Sequence, residues 1–163
     1  MADKKSKRKK GILFAVSTVA LLLAVLLAVQ VAPSVILKIA DGGTVTDGLL
    51  PDVDVSMHIT DVPEGEIRYL INKKIVFEGM YGQGNVMLEN PSGCEYDLQF
   101  VIYNTEGKMI YTSPMIRPGQ CLEKDKLTAV VRQGGYDCSY SALAYKNGTF
   151  VGEVSGVVSV TVR

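Results

Sequence analysis

Any chemistry in this chain must come from few side chains. They are a single histidine, His58, three cysteines, Cys94, Cys121 and Cys138, and the carboxylates of "PDVDV" and "DVPEGE". A nucleophile needs a base within about 3 Å. The sole imidazole lies in "VDVSMHIT", where Val53, Val55, Met57 and Ile59 alternate with Asp54, Ser56, His58 and Thr60. That period of two predicts a half-buried strand with His58 facing solvent. The cysteines form no Cys-x-x-Cys element and have one histidine to join them, so no metal site is expected. The carboxylates lack the oxygen-ligand spacing of a calcium loop and read as a solvated acidic edge. "GMYGQG" at 79–84 runs into strand-like sequence rather than a helix whose N-terminus would hold phosphate. It reads as a flexible loop, with Met80 and Tyr81 as a candidate contact site. With no Gly-x-Ser-x-Gly elbow and no dinucleotide fingerprint, neither catalytic residues nor a cofactor are expected.

What positions these residues starts at the N-terminus. Six of the first ten residues are Lys or Arg, and Ile12 to Ala32 carries no charge. A helix rising ~1.5 Å per residue would take that run across a ~30 Å hydrocarbon core, with the basic end cytoplasmic. A secretory signal has a shorter apolar region, of ~7–15 residues. Cleavage after Ala32 would also put Gln30 where a small residue is wanted and Pro33 just beyond the bond. The expectation is an uncleaved signal-anchor, with a secreted domain after cleavage as the alternative. Residues 1–11 form a basic cytoplasmic tail, 12–32 a transmembrane helix in contact with membrane lipid, 33–51 an extracytoplasmic stalk and 52–163 the folded body.

The formal net charge of zero divides unevenly, since beyond residue 32 there are eleven basic and sixteen acidic residues. An acidic outer portion argues against a polyanion ligand, and nucleic acid is not expected as a partner. Within the body, short apolar runs and period-two patterns are punctuated by "NPSG", "TEG", "RPGQ", "RQGG" and "KNG". This is the pattern of antiparallel strands joined by tight turns, an all-β sandwich. In "GGYDCSYSALAY", Tyr136 precedes Cys138 by two residues in a late strand, as in the tyrosine corner of immunoglobulin-like folds. Cys94 opens an earlier strand, which favours a Cys94–Cys138 bridge; Cys94–Cys121 and three free thiols are the alternatives. There is no Trp, so the usual core Trp of an antibody domain is missing.

The run "ENPSGCEYDLQFVIYNTEGKMIYTSPMIRPGQCLEKDKL", with "GGYDCSYSALAY" and "GEVSGVVSVTV", resembles small uncharacterised proteins of Gram-positive Firmicutes. The resemblance covers about residues 50–163 and rests on Asn90-Pro91, Ile110-Tyr111-Thr112-Ser113, Pro118-Gly119 and Gly135-Tyr136. It implies one extracytoplasmic immunoglobulin-like β-sandwich behind a signal anchor, with no catalytic or ligand residue; three cysteines depart from it. The expected function is therefore non-catalytic contact or assembly at the cell envelope, with an envelope protein or a second copy as partner. The terminal strand "EVSGVVSVTV" is unbroken by Pro and would suit strand addition if it lies at an edge. A carbohydrate- or wall-binding module is the alternative, resting on the eight tyrosines.

Overall fold

The computed structural model describes residues 42–59 and 61–163. The expected tail, membrane span and first part of the stalk lie outside them. Among the described residues no helix is long and apolar enough to cross a membrane.

The described chain is all-β. Its strands are β1 (Thr46–Asp47), β2 (Lys74–Phe77), β3 (Gln83–Gly84), β4 (Leu88–Asn90) and β5 (Asp97–Tyr103), followed by β6 (Met109–Thr112), β7 (Gln120–Leu122), β8 (Asp125–Lys126), β9 (Gly134–Lys146) and β10 (Thr149–Val162). The turn chemistry explains several connections. Asn147 and Gly148 both have positive φ, 53° and 76°, as a two-residue hairpin loop between β9 and β10 requires. In Arg117–Gln120, Pro118 stands at the second position and Gly119 at the third with φ 78°, and Gln120 N donates to Arg117 O at 3.0 Å, a type II turn.

The strands form two sheets, one ordered β1-β7-β4 and the other β6-β5-β9-β10-β2-β3-β8. All pairings are antiparallel except β10 with β2, which is parallel. The chain ahead of β2 first bridges β4 at Leu70 and Glu89, then crosses to run beside β10, so one segment stitches the two sheets. Their inner faces share one core: Leu88 and Leu122 from the smaller sheet pack with Ile75, Phe77, Leu98, Phe100, Ile102, Ala142, Ala144, Val158 and Val160 from the larger. Phe100 meets Tyr69 edge to face at 5.2 Å, a geometry that adds to the stabilisation from burial.

Four expectations need correction. Residues 42–51 are part of the body rather than a stalk: β1 pairs with β7, Leu50 is buried, and Gly43 lies so close to Lys124 that a Cβ there would stand 1.7 Å from its carbonyl oxygen. The body therefore begins at Gly42, ten residues earlier than expected. Residues 53–59 do not form the expected strand, because Val55–Met57 form a 3-10 turn that the Asp54 side chain caps by accepting from Ser56 N. Val55 and Met57 are left exposed. Gln83 and Gly84, expected within the loop, are strand β3, and residues 79–82 close the β2–β3 turn: Glu78 N donates to Gln83 O, and Gly84 lies against the Phe77 ring. His58, finally, is inside.

Candidate functional site

Glu89 organises the first part of the body. Alternation along β4 puts Leu88 in the core and Glu89 on the opposite face, yet the glutamate is fully buried. A carboxylate there needs donors. Leu50 N donates to its Oε2 at 2.8 Å, and His58 Nδ1 donates to both oxygens at 2.9 and 3.0 Å. The His58 side chain keeps only 4% exposure. One buried carboxylate thus clasps both ends of the segment 50–58 onto the smaller sheet. Among the described residues no Ser, Thr or Cys side chain is bonded to the ring, and the pair holds the segment to the sheet. Sequence alternation hid it, since neither the His nor its partner 31 positions away carries a local mark of the pairing.

A second buried carboxylate, Asp125, accepts from the Tyr111 hydroxyl at 2.9 Å, from Gly43 N and from Lys126 N. Burial, then the negative charge and hydrogen bond of Asp125, push the Tyr111 phenol far above its ordinary range. Tyr140, also buried, bonds through its hydroxyl to Tyr69 and receives Lys73 Nζ at 3.0 Å.

The cysteines are three separate buried thiols. The expected Cys94–Cys138 bridge is not formed, and the register shows why. β5 pairs with β9 from Asp97↔Tyr145 to Tyr103↔Ser139, so Cys94, ahead of Asp97, and Cys138, beyond Ser139, lie past opposite ends of the ladder. Six residues at ~3.3 Å separate those ends by ~20 Å, against the ~7 Å that a disulfide tolerates between Cα atoms. Burial raises the pKa of both thiols, and for Cys138 the adjacent Asp137 adds to it, leaving them protonated and poorly nucleophilic. Cys138 lines a groove of ≈ 870 Å³ with Lys73, Asn104, Asp137, Val157 and Ser159, but the chain's one imidazole is engaged elsewhere.

The Tyr136 hydroxyl donates to Arg132 O, four residues upstream, at 2.8 Å. Met80 and Tyr81 stand exposed at the tip of the β2–β3 turn, Tyr81 at 73%. It is the one exposed tyrosine of the eight; the other seven are buried or half-buried. Among the described residues no group of three or more His, Cys, Asp or Glu side chains is placed to hold a metal ion.

Among the described residues, the margin of β10 is only partly paired. On one side β10 pairs with β9 along its length; on the other, β2 covers only Ser159 to Val162. Ser159 N donates to Lys73 O and Arg163 N to Phe77 O, so the odd-numbered residues direct their backbone groups away from β9. By the same alternation Glu153, Ser155 and Val157 present N–H and C=O groups that pair with no strand among the described residues. Around them Phe150, Val151, Val154 and Val157 are exposed, Val157 at 75%. No family model, curated protein or solved structure matches the chain.

Proposed function

We propose that this protein is a non-catalytic, membrane-anchored contact module of the cell envelope. In this reading residues 12–32 hold it in the membrane, the N-terminal tail is cytoplasmic, and an immunoglobulin-like β-sandwich is displayed outside. The sheet order β6-β5-β9-β10-β2 opposite β1-β7-β4 supports the immunoglobulin-like assignment. So does the Tyr136 bond to Arg132 O, two residues before Cys138.

The observation that carries the contact role is the margin of β10 from Glu153 to Val157, which pairs with no strand among the described residues and is flanked by exposed apolar side chains. Unpaired strand edges recruit other strands, and natural proteins cover or charge those that must stay alone. Here a single carboxylate, Glu153, lies between Thr149 and Val162. The test is purification of the tagged full-length chain from native membranes in gentle detergent, with intact-mass analysis and identification of what comes with it. A chain at uncleaved mass in a stoichiometric protein assembly is expected. A lone monomer cut beyond residue 32 would overturn the reading.

A further inference from the structure

We infer that the partner of the β10 margin is a second copy of this chain, joined by antiparallel β10–β10 pairing about a two-fold axis at Ser155. The inference rests on the contact role proposed above and gives that role its partner. Three features of the margin select the copy and its register. First, the usable stretch is bounded. The register of β10 on β9 shifts between Phe150 and Gly152, and beyond Val157 the next outward-directed residue, Ser159, already donates to Lys73 O. A bulge twists a strand away from straight pairing, so Glu153, Ser155 and Val157 are the groups on offer.

Second, these three residues are self-complementary around their centre. With Ser155 opposite its own copy, Glu153 falls opposite Val157 and Val157 opposite Glu153. All six outward N–H and C=O groups of each chain then find partners. Third, registers centred on Val154 or Gly156 pair only two of the three residues, and charge and space reject those centred on Glu153 and Val157. Centring on Glu153 would set two carboxylates directly opposite, which is destabilising in a sheet. Centring on Val157 would ask for the Ser159 amide that β2 already uses. In the Ser155 register Val154 faces the copy's Gly156. The Tyr140 ring already covers Gly156, where a Cβ would come within 2.7 Å of it, so the copy's valine packs against that ring. Confinement of both copies to one membrane raises their effective concentration.

The experiment uses the full-length chain in detergent micelles. Opposed residues of a hydrogen-bonded antiparallel pair have Cα atoms ~5.5 Å apart, within disulfide range. Ser155→Cys is expected to give a reductant-sensitive dimer on mild oxidation. Glu153→Cys is expected to give little, because each copy of residue 153 lies four residues, ~13 Å, from the other along the pair. Ser155→Lys and Ser155→Glu, at an exposed position, should each weaken dimerisation at least tenfold, and an equimolar mixture should restore it. Equal cross-linking at 153 and 155, or no rescue on mixing, would overturn the proposal. Ser155→Cys captured in native membranes by a different protein, and not by itself, would also overturn it while leaving the contact role standing. Loss of the contact role would show separately, in the uncleaved mass and co-purification of the unmodified chain.

Discussion

Buried carboxylates decide how the first ten described residues and the 3-10 turn are held, and their energetics are testable one side chain at a time. Glu89 has no water to turn to, so removing a donor leaves a charge short of partners, a change that is costly even where the intact pair is worth little. His58→Ala is expected to cost about 3 kcal/mol in urea unfolding; a loss below about 0.5 kcal/mol would mean that the clasp does not form. Tyr111 makes a pH-dependent case. An unfolded phenol releases its proton near the ordinary value of 10.0, whereas burial and Asp125 keep the folded one protonated above it. The folded state then binds more protons than the unfolded, so stability is fully present below about pH 10 and falls as pH rises past it, by up to about 1.4 kcal/mol per pH unit for one such group. Tyr69, raised by burial and by its bond to Tyr140, acts with the same sign. Tyr111→Phe should be less stable at neutral pH by about 1–3 kcal/mol, because Asp125 loses a donor, and should show a shallower alkaline decline. An unchanged slope would assign the decline to other groups.

At the scale of elements, legibility followed the length of the pattern. β9 alternates from Asp137 to Tyr145 and β10 from Val157 to Val162, on strands that flank "KNG", and a helical period fits neither run. Pro and Gly fixed "RPGQ" through a fixed φ and a positive φ. Short elements were harder to read. β1 is two polar residues, Thr46 and Asp47, with no apolar side chain to mark a face, and its place in the sheet comes from β7, far along the chain. "VDVSMHIT" alternates correctly for a strand, but the Asp54 cap closes a turn locally and no strand among the described residues pairs with 53–59 to keep it extended. The Cys94–Cys138 expectation failed because sequence spacing says nothing about which ends of two paired strands adjoin. Two substitutions test the elements themselves. Gly43→Ala forces a methyl against the Lys124 carbonyl, and is expected to cost about 1–3 kcal/mol while speeding amide exchange at Thr46 and Asp47 ahead of β9. Unaltered exchange there would mean that β1 is not docked through Gly43. Tyr136→Phe removes the bond to Arg132 O, and about 1 kcal/mol should go with it.

For the folded body as a whole, the question is whether its two sheets open together or apart. Side chains from both meet in one core, and the segment from Leu70 to Phe77 passes from β4 to β10, so neither sheet has an apolar interior of its own to fall back on. Cooperativity on this scale is set by such shared burial, since a unit separates easily only where few buried contacts cross its boundary. The three thiols report on it from well-spaced places: Cys94 in the turn before β5, Cys121 on β7 of the smaller sheet, and Cys138 on β9 of the larger, all buried. Under native conditions each should resist alkylation, and the three should become reactive at one common rate that follows global unfolding as urea is raised. Burial makes this a clean measurement, because the raised pKa values of Cys94 and Cys138 already suppress direct attack. Labelling resolved by peptide mass would find the alternative at once: early reaction of Cys121 alone would mean that β1, β7 and β4 peel away as a unit, and that the shared core does not bind the two sheets into one transition.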